Sequence, residues 1–188
     1  MLFRSVRETL DLPNRKLFDS YEPRVALAKV FRRYRPRIVL GIHGKTPGAS
    51  PDHWQAMQIT DAAVFYARLT KWDDYFDGLS VHTVSALLYY TLGFGTLELP
   101  LAAGHLVVDI GDTLETKLKA VRCYATQFPK AKEFIFERIR AAAMHDGIAA
   151  GYEAGELFAS PRTLGTRDLM HFLFGLTPAD EPRKPEVR

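Results

Sequence analysis

Apolar residues in this chain fall into two alternating patterns. Short near-continuous runs are separated by stretches in which apolar positions recur every three or four residues, a pattern that predicts strands interleaved with helices. Ser20 stands before Tyr21, Glu22 and Pro23, a cap followed by an acid and a proline. Val25, Ala28 and Phe31 then keep helical spacing to about Tyr34. Arg37-Ile38-Val39-Leu40-Gly41-Ile42 is nearly all apolar, as buried parallel strands are. Ser50 as N-cap and Pro51 at the first position open a second helix to about Leu69, with Met57, Ala63, Val64 and Ala67 turned to a core. Val84–Leu92 and Leu106–Ile110 read as strands, and Lys71–Ser80 as an acidic, aromatic loop. Asp112 with Glu115 forms a capping-box-like start for a helix through about Gln127, whose buried stripe is Leu114, Leu118, Val121 and Ala125. A further helix is expected over Lys130–Ala150, a short strand over Glu156–Ser160 and a short helix over Thr166–Phe174. Near the start, Arg7–Leu12 has strand character and Leu12-Pro13-Asn14-Arg15 breaks it into a loop.

Strands alternating with helices predict an α/β fold, Rossmann-like. The sheet is expected to be mostly parallel with helices on both faces, with room for one antiparallel strand late in the chain. A chain of 188 residues suits one domain, taken as 1–176, with a mobile tail at 177–188, whose stretch from Asp180 to Arg188 carries two prolines among charges. The 25 Lys and Arg against 22 Asp and Glu give +3, too small an excess to imply nucleic acid. Arg32, Arg33, Arg35 and Arg37 cluster where the first helix ends, where cations complement its dipole. The single cysteine, Cys123, excludes an intrachain disulfide and a multi-cysteine zinc cluster, and it reads as core filler in a helix. No signal peptide or membrane-length apolar run is visible, so a cytoplasmic protein without a membrane span is expected.

Candidate chemistry concentrates at Ser50-Pro51-Asp52-His53, which follows a predicted strand and opens a predicted helix. In an α/β fold that position lies outside the carboxyl end of a parallel strand, where ligands bind. Helix initiation alone accounts for Ser50, Pro51 and Asp52. His53 is the residue with no such local reason, and an imidazole at a pocket rim is a metal-ligand candidate. Asp52 would then orient an imidazole from behind the metal.

The motif resembles the internal His-Pro-Asp-His of the LmbE/PIG-L family of zinc-dependent de-N-acetylases, and further segments match the family in order. Leu12-Pro13-Asn14-Arg15 resembles its arginine loop and Tyr34-Arg35-Pro36-Arg37-Ile38-Val39 the strand before the motif. Val107-Val108-Asp109-Ile110, Cys123-Tyr124-Ala125-Thr126-Gln127-Phe128 and Gly155-Glu156-Leu157-Phe158-Ala159 resemble its later segments. The flavour is closest to the bacillithiol-pathway deacetylases, which act on an N-acetylglucosaminyl-malate. The resemblance implies a zinc cofactor held in part by His53, catalytic-site positions at Asp52, Ser50 and His43, and a substrate contact from Arg15. It implies as substrate an N-acetylated amino-sugar conjugate.

Two departures qualify what is implied. The family's first motif, Ala-His-Pro-Asp-Asp, has no counterpart among the six histidines here. The chain thus resembles a deacetylase lacking its first strand and helix, together with two zinc ligands and the catalytic base. Ser50 replaces the motif's first histidine, and a serine hydroxyl cannot serve as a near-neutral acid; His43, seven residues earlier, is the candidate substitute. Turnover by this chain alone is therefore not expected. The alternative is a non-catalytic sugar-binding or oligomerisation module. A sheet deprived of its first strand would expose an unpaired edge, which predicts a homo-oligomer.

Overall fold

In the computed structural model of the protein, residues 6–46, 48–92 and 104–174 are described. The expected mobile tail lies outside them. Helix α1 spans Tyr21–Tyr34 and closes on Arg35, whose left-handed backbone (φ 50°) lets its N–H reach the Phe31 carbonyl before Pro36 turns the chain away. Strand β1 (Ile38–Ile42) follows, then α2 (Asp52–Tyr66), β2 (Ala86–Tyr90), β3 (Gly104–Asp109), α3 (Leu114–Arg122), α4 (Phe134–Ile148), β4 (Gly155–Ser160) and α5 (Leu169–Phe174).

The four strands form one mixed sheet in the order β1-β2-β4-β3. β1 and β2 pair in parallel, Gly41 beside Tyr89, while β4 runs antiparallel to both β2 and β3. Three strands thus share a direction, and the late antiparallel strand sits inside the sheet between β2 and β3.

The register places Gly41, Tyr89, Ala159 and His105 side by side on one face. α2 covers this face: a Cβ at Gly41 would stand 3.3 Å from the Tyr89 ring and 3.4 Å from Thr60 Cγ2. Gly155 projects to the same face by strand alternation and meets Gly147 of α4. Val25, Ala28, Phe31, Val39, Ala63, Ala67 and Phe76 form one core cluster between α1, α2 and β1. A second cluster joins Ile110 and Ala154 to α3 and α4 through Leu114, Leu118, Phe136, Ile139 and Ala143. On the opposite face Ile38, Leu40 and Val108 are 57, 52 and 45 % exposed. α2 and α4 lie on the first face, and the open mixed sheet with its helices is the α/β, Rossmann-like architecture expected. β1 ends the sheet among the described residues, with a free edge that carries no charge, proline or bulge to discourage pairing.

Three expectations need correction. Arg7–Leu12 is extended but joins no sheet. α3 stops at Arg122, so Cys123 lies just beyond the helix, exposed, with its thiol on the Lys119 carbonyl, and fills no core. The arginines at the end of α1 do more than complement a dipole: Arg32 is buried, Arg33 pairs with Glu8 at 2.7 Å and Arg35 reaches the Val81 carbonyl at 3.1 Å. No helix among the described residues is long and apolar enough to cross a membrane.

Candidate functional site

The loop that follows β1 and the first turn of α2 hold the predicted motif at the carboxyl end of β1. Pro51 already has helical angles (φ −59°, ψ −17°), and Ser50 Oγ accepts the Asp52 N–H at 3.3 Å, so serine and proline start the helix as their chemistry favours. The Asp52 carboxylate turns outward and accepts the backbone N–H of Arg15 at 2.6 Å. A second clamp lies one helical turn on, where Gln55 Oε1 accepts the Asp19 N–H at 2.6 Å. Asp19 in turn holds Arg24 by a bidentate pair at 2.7 and 2.6 Å. The arginine loop, 37 residues away in sequence, is thereby fastened to the motif helix. Arg15 takes a left-handed backbone (φ 61°), a conformation costly for a residue with a Cβ and sustained here by the Asp52 bond.

His53 has Thr46 Oγ1 as its ring partner, Nδ1 to oxygen at 3.2 Å, rather than Asp52. Thr46 belongs to the same loop as Gly44, whose N–H points at Met57 Sδ. His43 is placed differently from its suggested role. Its ring meets the edge of Tyr89 with centroids 5.8 Å apart, and His105 of β3 influences its charge. Its described ring contact is with Tyr89 and not with Ser50. The Tyr89 hydroxyl donates to Asp61 at 3.2 Å, and burial foremost, then Asp61, pushes its ionisation upward. Sequence reasoning missed Tyr89, Asp61 and Thr46. A signal existed for Tyr89 in Gly41, since a glycine within a strand marks close approach by a neighbouring group.

Burial, and secondarily His105, holds the His43 imidazole below its ordinary value. A histidine depressed in the folded state favours the neutral form there, so its contribution is present above the unfolded value and is lost as the pH falls through the folded one. Urea midpoints measured at pH 7 and pH 5.5 should therefore drop on acidification, and His43→Gln should reduce that drop. Equal drops in both proteins would show that His43 is not the group responsible.

Zinc hydrolases hold their metal with about three protein nitrogen or oxygen ligands and leave a position for water. Among the described residues no group of three or more His, Cys, Asp or Glu side chains is arranged to hold a metal ion. His53 beside a hydroxyl, with Asp52 committed to the Arg15 loop, does not make such a site. The described donors therefore do not fit a complete zinc centre.

No family model matches the chain. Its sequence and fold are both similar to those of deacetylases, in line with the resemblance of its motifs. One relative is diacetylchitobiose deacetylase. The enzyme of Thermococcus kodakarensis is 32% identical over 152 residues, which are 78% of this chain and 53% of that protein. The crystal structure of N,N'-diacetylchitobiose deacetylase from Pyrococcus horikoshii, complexed with an inhibitor, superposes with a TM-score of 0.64 at 28% identity, covering 77% of this chain and 53% of that one. A second structure, the 4-carboxy-2-hydroxymuconate hydratase GalB of Pseudomonas putida, has a TM-score of 0.68 at 21% identity over 85% of this chain and 66% of its own, a likeness of fold alone. The chain spans about half the length of the two deacetylases.

Proposed function

We propose that this chain supplies the substrate-holding part of a zinc-dependent amide hydrolase that removes the acetyl group from an N-acetylglucosamine-type conjugate. Alone, it binds that substrate without turning it over. The observation that carries the reading is the 2.6 Å bond from the Arg15 N–H to Asp52, which fixes the arginine loop against the motif helix at the ligand end of β1. The deacetylase relatives supply the acetamide chemistry: water adds to the acetyl carbonyl, the C–N bond breaks, and acetate and a free amine leave. Hydrolases of this kind draw on a metal-activated water. Toward that metal the described residues offer one imidazole, His53, so recognition and not hydrolysis is assigned to them. The remaining donors would come from another polypeptide segment, and the bare edge of β1 also favours association of copies. The exposed single cysteine suits a reducing cytoplasm.

Calorimetric titration of the chain with N,N'-diacetylchitobiose tests this. Binding should survive chelator and weaken at least tenfold in Arg15→Gly, which removes the guanidinium while keeping the left-handed backbone unstrained. Asp52→Ala should weaken it similarly by releasing the loop. Unaltered affinity in both variants would sink the recognition role. Zinc-dependent release of acetate by the chain alone, abolished in His53→Ala, would overturn its incompleteness.

A further inference from the structure

A cavity of about 490 Å³ opens where β2 ends and β4 begins, walled by α3 and α4. Its sheet side is Tyr90, Thr91 and Leu157, and its helix side includes Val121, Phe128 and Ile139. The size falls in the range of small-molecule sites, and the mainly apolar lining is their usual character. A comparable cavity of about 430 Å³ lies among Thr83, Ser85 and Leu164, at the amino end of β2 and away from the candidate chemistry.

Position distinguishes the first cavity. β2 runs parallel to β1, so the cavity lies at the same carboxyl end as the motif loop. The two are joined directly, since His43, the first residue after β1, donates its N–H to the carbonyl of the lining residue Tyr90 at 2.8 Å. About 4.8 Å, one strand spacing, separates the two backbones.

The lining also selects among ligands. Lys117 is already paired with Glu156 at 2.9 Å, and the other ionisable carboxyl there is Asp146. An acidic group entering this space would meet no unpaired cation among the described lining residues and would face a carboxylate. A neutral apolar group would instead bury surface against aliphatic and aromatic walls at about 25 cal/mol per Å².

We propose that this cavity receives a neutral, apolar aglycone of the N-acetylated amino-sugar conjugate whose sugar is held at the Arg15–His53 loop pair. The inference rests on the deacetylase reading of that loop pair. It adds a specificity that the reading alone lacks: the preferred substrate is a glycoside with an apolar aglycone, rather than one extended by a further sugar or an acid.

Calorimetry on the 188-residue chain with three probes decides it: methyl N-acetyl-β-glucosaminide, octyl N-acetyl-β-glucosaminide and octyl β-glucoside, the octyl compounds below their micellar concentrations. The octyl amino sugar should bind at least tenfold more tightly than the methyl one. Ala142→Leu, which fills the cavity, and Tyr124→Ala, which strips an exposed residue from its wall, should each erase most of that difference. A variant that merely unfolds would lose both ligands together, so the ratio reports on the cavity. Equal binding of the two amino sugars, or a ratio untouched by both variants, would overturn the proposal. If octyl β-glucoside binds as tightly as its N-acetylated counterpart and responds to the same variants, the cavity takes apolar chains but the acetamide reading beneath the proposal fails.

Discussion

Arg32→Met is expected to destabilise the protein by about 3–5 kcal/mol, the cost of stripping a buried charged group from its partners. Arg32 is 2 % exposed. Its guanidinium donates to three carbonyls, Ala67 at 3.1 Å, Leu79 at 2.9 Å and Leu69 at 2.5 Å, and lies 3.6 Å over the Phe76 ring. Asp73 is a distant, exposed counter-charge at 3.8 Å, so the carbonyls and the ring carry the interaction. Burial draws the guanidinium's ionisation downward, with Asp73 opposing, yet arginine stays charged at any working pH. Methionine fills the space but strips the guanidinium donors from the Leu69 and Leu79 carbonyls, each worth about 1–3 kcal/mol when buried, and leaves the Ala67 carbonyl with the His82 N–H at 3.0 Å. Urea unfolding of the wild type, Arg32→Met and Arg32→Lys measures the effect. Lysine should recover less than half of the loss, because a point charge cannot serve three acceptors arranged around a planar fork. A loss below about 1 kcal/mol in the methionine variant would mean that water replaces the guanidinium and that the segment from Ala67 to Leu79 is held otherwise.

The place of Arg32 shows what kind of information the sequence carries. Positions 25, 28 and 32 follow helical spacing, so the pattern that identified Val25 and Ala28 as buried also put residue 32 on their face. Its charge disguised it, and the neighbouring Arg33 and Arg35, which do lie at the surface, made a dipole explanation sufficient. Most elements were legible for the same reason of periodicity: α1, β1, α2, β2 and β4 lie within a few residues of their predicted bounds. Strand order was not legible. Nothing local distinguishes a late strand at the edge from one inserted between β2 and β3, because that choice is made by packing among residues some 70 positions apart, Tyr89 against Ala159. Strand character over Arg7–Leu12 likewise expressed propensity without a partner, and a strand alone is not stable.

The candidate site divides in the same way. Ser50 and Pro51 start α2 as capping chemistry dictates, which is local and therefore readable. The ordered resemblance marked Arg15 as a substrate contact, but gave no sign that its loop is bonded to the motif. The bond runs from a backbone N–H to Asp52, and a backbone donor leaves no trace in residue identity. His43 stood only seven residues before Ser50, which made the two look exchangeable. Strand β1 in fact ends just before His43 and delivers its ring to Tyr89, whereas the intervening loop carries Ser50 to the helix start.

Gly147→Ala is the second large effect expected, a loss of about 2 kcal/mol or more that lowers the melting temperature by roughly 4–8 °C. Alanine within a helix ordinarily gains up to about 1 kcal/mol over glycine, so the sign depends on what the new methyl meets. Here it would stand 2.7 Å from the Tyr152 carbonyl oxygen and 2.9 Å from two backbone atoms of Ala154. These are main-chain atoms of the turn that carries α4 into β4, and they cannot rotate aside as a side chain would. The same turn is held by the Gly147 carbonyl, which accepts the N–H groups of Ala150 and Tyr152 at 3.0 Å each. Gly155→Ala presses on the contact from the other side, 2.9 Å from Gly147 N, so the double variant should cost less than the sum of the singles. Relief requires α4 to lift from β4, and Ile139 of that helix and Leu157 of that strand both line the proposed aglycone cavity. The octyl-to-methyl affinity ratio should therefore change in Gly147→Ala along with stability. An unchanged melting temperature would mean that α4 separates from β4 without cost, and the cavity would then lack the fixed wall that a selective site requires.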